Sequence, residues 1–174
     1  MNATVTRPFP NGIDEEHIGA RRTGWTNPTG VIVLSLLVAF AFLGAYGREH
    51  TIAASGAGVD FEAHLPERIR NGELFEMRFT VLAHEAVSEL VIAVDASVWE
   101  DMTINTFMPG AAEETSEAGR YRFSFGPMAA GTTFDIKVDG QINPDTVGGN
   151  SGVIGVYDGE RLLVELPVEI GVLP

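Results

Sequence analysis

The chain has 174 residues, with 11 Lys or Arg against 24 Asp or Glu, a net charge of −13 and no cysteine. So large an acidic excess is repelled by nucleic acid and by anionic lipid head groups, which argues against either as a partner. The absence of cysteine excludes disulfides, zinc thiolate sites, iron–sulfur clusters, thiol catalysis and an acylated lipoprotein cysteine, and it permits an oxidising compartment.

Residues 1–47 balance three Arg (Arg7, Arg21, Arg22) against three acids (Asp14, Glu15, Glu16), so the whole excess lies in residues 48–174. From Pro28 to Gly47 there is no charge at all. Asn27 and Pro28 suit an N-cap and a first helical position, and Trp25 and Tyr46 are aromatic residues of the type found at membrane interfaces. The reading is a transmembrane helix over 29–47. A helix that is apolar on all sides would need more partner surface than a soluble domain of this size supplies.

The small residues Ala45 and Gly47 also have the spacing that a signal peptidase accepts. Thirty residues, three of them acidic, precede the apolar run, which favours an uncleaved signal anchor over a cleaved signal peptide. Arg21 and Arg22, with Arg7, place the N-terminal tail, 1–28, in the bacterial cytoplasm and the remainder in the periplasm or outside the cell. Ser35 with Ala39, and Ala41 with Ala45, form small-xxx-small pairs that permit close approach of another membrane helix.

Residues 48–58, rich in small side chains, read as a tether. From Val59 the period changes to two. Val59, Phe61, Ala63 and Leu65 alternate with Asp60, Glu62 and His64, and Phe75, Met77, Phe79 and Val81 share one side of the next run. Tyr121, Phe123 and Phe125 stand opposite Arg120, Arg122 and Ser124, and Phe134, Ile136 and Val138 alternate with Asp135, Lys137 and Asp139. Such alternation marks half-buried strands. Asp158 and Gly159 between two apolar runs suggest a type I′ hairpin. The segment around Trp99 and Met102 is irregular, and Glu113, Glu114 and Glu117 read as an exposed acidic loop. The expected fold is therefore all-β, an antiparallel sandwich over 59–174 preceded by one transmembrane α-helix.

The stretch "YRFSFGPMAAGTTFDIKVDGQINP" joins two strands through Pro127, Met128, Ala130 and Gly131, and "LPERIRNGELFEMRFTV" puts Pro66 and Gly72 before an alternating strand. These features resemble bacterial Ig-like domains of the cell-adhesion-related kind. The resemblance implies an Ig-like β-sandwich with a display role and brings no catalytic residue with it.

Short strings that invite an enzymatic reading fail on their chemistry. "GGNSG" is similar to the nucleophile loop of trypsin-like proteases, but Asn150 replaces the acid before Ser151, and His84 lacks its context. His84 and Glu85 begin like a zincin helix, yet Ser88 stands where the second histidine is required. For calcium, Asp139, Asn143 and Asp145 offer oxygen ligands near one loop without matching the EF-hand spacing. His64 and His84 could meet only if their strands were neighbours. The expectation is a non-enzyme without cofactor: a single-pass membrane protein whose acidic sandwich contacts another membrane protein or complex as an accessory subunit. The alternative is an extracytoplasmic ligand- or metal-binding module using the loops of the sandwich.

Overall fold

A computed structural model describes residues 28–41, 49–146 and 148–173. The chain divides into two compact units, residues 1–45 and 46–174. The first contains helix α1, Pro28–Phe40, thirteen residues that span about 20 Å at the α-helical rise. Its aliphatic and aromatic side chains are exposed all round, Leu34, Leu36 and Phe40 each by more than 60 %. Ser35 and Ala39 lie one turn apart on it. Among the described residues no helix is long and apolar enough to cross a membrane. Arg21, Arg22, Trp25, Ala45 and Tyr46 fall outside the described residues.

The second unit is all-β, with eleven strands among its described residues in two sheets: β1 (Glu49–Gly56), β2 (Val59–Pro66), β3 (Arg68–Arg70), β4 (Leu74–Ala83), β5 (Val87–Asp95), β6 (Met102–Met108), β7 (Glu113–Glu117), β8 (Arg120–Met128), β9 (Thr133–Ile142), β10 (Gly148–Asp158) and β11 (Arg161–Leu173). One sheet has the order β1-β2-β4-β9-β6, and the other β3-β11-β10-β5-β8-β7. Every pairing is antiparallel except that of β3 with β11.

The alternations read from sequence become the two inner faces. Phe61, Met77, Phe79, Val81, Ile136 and Val138 from one sheet meet Leu90, Ile92, Val94, Ile154, Val156 and Ile170 from the other in one continuous buried core. Burying such side chains is the main favourable term of the fold, roughly 1.5–3 kcal/mol for each large one. β11 tolerates Pro167 because β3 covers β11 only from Gly171 to Leu173, so at Pro167 the side of the strand away from β10 has no partner strand; at Gly171 the N–H on that side donates to the Glu67 carbonyl at 3.0 Å.

Three details differ from the sequence reading. The residues read as a tether form β1, an edge strand paired with β2 along its whole length; its turn, Ala57-Gly58, has positive φ at both positions, as a type I′ hairpin requires. The acidic segment read as a loop is β7, closed onto β8 by a second such turn at Ala118-Gly119. In the β10–β11 hairpin Asp158 pairs with Arg161, so the loop is Gly159-Glu160 with positive φ only at Gly159, which fits type II′ and not I′.

Candidate functional site

Residues 96–99 form a short 3₁₀ helix after β5 that carries Trp99 into the side of the sandwich between β6 and β8. Asn150 holds this segment in place. Its buried amide Nδ2 donates to the carbonyls of Val98, at 3.3 Å, and Glu100, at 2.5 Å. Ser97 Oγ donates to the Ser151 carbonyl at 2.8 Å. The string that imitated a protease nucleophile loop is thus the start of β10, where an amide is needed as a double donor.

Trp99 anchors an aromatic cluster. Its ring centroid lies 5.8 Å from Phe107, 5.7 Å from Phe123 and 5.9 Å from Tyr121, on which it stacks; Phe107 and Phe123 stack at 4.4 Å. Phe107 comes from one sheet and Phe123 from the other, so the cluster bridges the layers, and edge-on or offset ring contacts add attraction beyond burial. Toward solvent the two sheets part, leaving an open groove of about 480 Å³ that Met102, Ile104, Phe107, Tyr121 and Glu114 help to line. Tyr121 remains 37 % exposed and Met108, nearby on β6, 51 %. The indole Nε1 of Trp99 is buried and has no hydrogen-bond partner among the described residues.

The outer face of the second sheet is built differently. Val91, Ala93 and Tyr157 form a small buried cluster there. Arg120 Nε donates to Asp95 at 2.7 Å, and its Nη1 reaches both the Tyr157 hydroxyl and Glu165. Tyr157 in turn donates to Glu165 at 3.2 Å. The Arg122 guanidinium sits 5.1 Å over the Tyr157 ring. Burial raises the Tyr157 phenol above its ordinary pKa, with Arg120 opposing and Glu165 adding to the rise. These groups satisfy one another, as a structural polar layer does.

On the first sheet's outer face, Glu76 accepts from Lys137 and Arg78, which hold its carboxyl below the usual range. Asp139, a calcium candidate from the sequence, is bound to Lys137 at 3.3 Å, whereas Asn143 accepts from Thr103 at 3.2 Å. Asp145 lies exposed in the loop beyond. Among the described residues, no group of three or more His, Cys, Asp or Glu is placed to hold a metal ion. His84 lies 2.7 Å from Asp60, and His64 shares a hydrogen bond with Thr51, so the two histidines have different partners. Ser55 first, then His84, lowers the Asp60 pKa by hydrogen bonding. Ser151 belongs to the other sheet from Asp60, and its backbone carbonyl accepts from Ser97 Oγ.

The groove was missed at the level of sequence because its walls come from a 3₁₀ turn, β6, β7 and β8. The available signal was the pair of faces on β8, where Tyr121 and Phe123 were correctly separated from Arg120 and Arg122.

No family model matches the chain, and no curated protein matches it. Among solved structures, the chain is similar at 12% identity and a TM-score of 0.26 to the crystal structure of a GH20 exo-β-N-acetylglucosaminidase from Vibrio harveyi in complex with N-acetylglucosamine. The match covers 74% of this chain and 18% of that one, a likeness too low to carry a functional argument.

Proposed function

We propose that the chain is a single-pass bacterial membrane protein that displays an acidic Ig-like sandwich for protein–protein interaction, as an accessory or assembly subunit of a larger membrane complex. The observation that carries the interaction reading is the groove: aromatic and methionine side chains of the inner faces are left half covered at one side of an otherwise closed core. Exposed apolar surface with aromatic anchors is the usual ground for a protein contact. The uniformly exposed apolar helix α1, within a longer uncharged run, supports an anchor in the cytoplasmic membrane with the N-terminus inside.

Strand order supports the Ig-like part. β2-β4-β9-β6 matches the A-B-E-D sheet, β11-β10-β5 matches G-F-C, and β8 and β7 extend the latter as two further strands do in variable-type domains. Three departures stand out. β1 precedes the first standard strand, β6 comes before β7 and β8 in the chain, where the alphabetical order would put it after them, and β7, the outer of the two added strands, precedes β8, the inner one.

The test has two arms. A reporter active only outside the cytoplasm is expected to work when fused after Pro174 and to fail when fused before Thr23; the opposite pattern overturns the orientation. Purification of the full-length protein from its own membranes in mild detergent is expected to bring a stoichiometric membrane partner, and its consistent absence overturns the subunit role.

A further inference from the structure

We infer that the groove between β6 and β8 receives a cationic side chain, lysine or arginine, presented by an extended segment of a partner protein. This rests on the protein-interaction reading above and names the chemistry of the partner. Glu114 is the only charged residue among those lining the groove. In the β7–β8 pairing it stands opposite Phe123, so it projects from the inner face of the sheet, whereas Glu113 and Glu117 stand opposite Ser124 and Arg120 on the outer face. Glu76, Glu160 and Glu165 each have a cationic partner within 3.3 Å. The Glu114 carboxylate has neither an ion pair nor a hydrogen bond among the described residues.

An unpaired carboxylate above an apolar floor complements a side chain with an aliphatic stem and a positive head, since lysine and arginine lay their stems on apolar surface and keep their charge at its margin. Tyr121, stacked on Trp99 and still exposed, offers an aromatic surface beside that carboxylate for the same head group. Trp99 keeps an unpaired indole N–H at the wall, which a fully closed core would have paired. The other large concavities lack this asymmetry. The one bordered by β1 and β11 mixes Glu67 and Glu169 with Arg68 and His50; the one over β5 and β8 is lined by Glu89, Glu113, Glu117 and Glu160, but Arg122 already lies among them, bound to Gly159 and Glu160, and Val91 is its only large apolar lining residue. The groove also runs along β6, an edge strand, so an extended segment lying in it meets backbone groups as well as the pocket. The acidic excess of the domain draws a basic partner towards it.

The experiment uses the full-length protein in a non-ionic detergent with Trp25→Phe, which leaves Trp99 as its only tryptophan. The probe is an acetylated and amidated heptapeptide of alternating valine and lysine, with its valine–glutamate counterpart as control. Trp99 emission is expected to change saturably with the lysine peptide alone. Glu114→Gln, at an exposed position, is expected to weaken binding at least three-fold with an unchanged melting temperature, and Tyr121→Leu to weaken it in the same sense. Glu62→Gln, on the outer face of the opposite sheet, is expected to leave the affinity unchanged. Binding of the glutamate peptide, no saturable binding of the lysine peptide, a loss under three-fold in Glu114→Gln, or an equal loss in Glu62→Gln each overturns the assignment. A membrane partner that copurifies with wild type and stays bound to Glu114→Gln removes this inference and leaves the display role standing.

Discussion

The ring of Phe75 on β4 lies directly across Gly140 on β9 and occupies the space that a Cβ at Gly140 would need. The two residues are register partners, and Phe75 is buried. A glycine in the middle of a sheet is intrinsically poor, and here the facing ring covers the surface that a side chain would have supplied.

Gly140→Ala is therefore expected to destabilise, although alanine has the better strand propensity. The ring has to leave its place, and overpacking of this kind costs about 1–3 kcal/mol. Denaturant unfolding of the variant measures it, and a stabilised variant would refute the account.

Asn150→Asp is nearly isosteric and exchanges a double donor for an acceptor that faces the carbonyls of Val98 and Glu100. Three acceptors would then meet in a buried site. The expected loss is about 3 kcal/mol or more at neutral pH, the scale for an uncompensated buried charge, with partial recovery on acidification as the new carboxyl protonates. Restoring the residue that a protease-like motif would carry at this position thus weakens the fold.

Arg120→Ala leaves Asp95, Tyr157 and Glu165 without their shared cation. Because the network is partly solvated, the expected cost is about 1–2 kcal/mol, at or below the lower end of the roughly 1.5–3 kcal/mol for hydrogen bonds to charged groups. Arg120→Lys should recover only part of it, since an ammonium cannot reproduce the guanidinium geometry. Thermal unfolding of the three proteins ranks them.

Asp158 accepts the backbone N–H groups of Ser88 at 2.8 Å and Glu89 at 3.0 Å, tying the β10–β11 hairpin to the start of β5. The Glu89 N–H first, then Arg161 and the Ser88 N–H, holds its carboxyl below the ordinary value. A depressed folded-state pKa contributes stability that is complete above the unfolded value, near 3.9, and is lost as pH falls through the folded value. Wild type should accordingly melt higher than Asp158→Asn at neutral pH, and the gap should close below about pH 4. A gap independent of pH would exclude the charged acceptor as its cause.

Much of the sandwich was legible because burial on one face leaves a period of two in β2, β4, β8 and β9. β1 was not, because its Ala53, Ala54, Ser55 and Gly56 resemble a linker, and Gly56 is required by close approach to the Leu163 carbonyl of β11, which no local pattern announces. β7 was not, because all five of its side chains are exposed and alternation has nothing to mark. Among the sequence candidates, Asp139, Asn143 and Asp145 were grouped by proximity in the chain, yet strand direction turns Asp139 onto an outer face towards Lys137. The groove depended on sheet order, which is a non-local property.

At Pro66–Arg68 the chain leaves one sheet for the other, and β3 finds its strand partner only in β11, with Arg68 opposite Gly171. The three hairpins β1–β2, β7–β8 and β10–β11 are local and can form as soon as each is made, but this parallel pairing spans nearly the whole domain and must await β11. Loop-closure entropy makes such a contact slow to form. Completion of the second sheet is thus expected late in folding, and until then Ile69 and the adjoining side of β11 lack each other as strand neighbours and stay open to pairing with other chains.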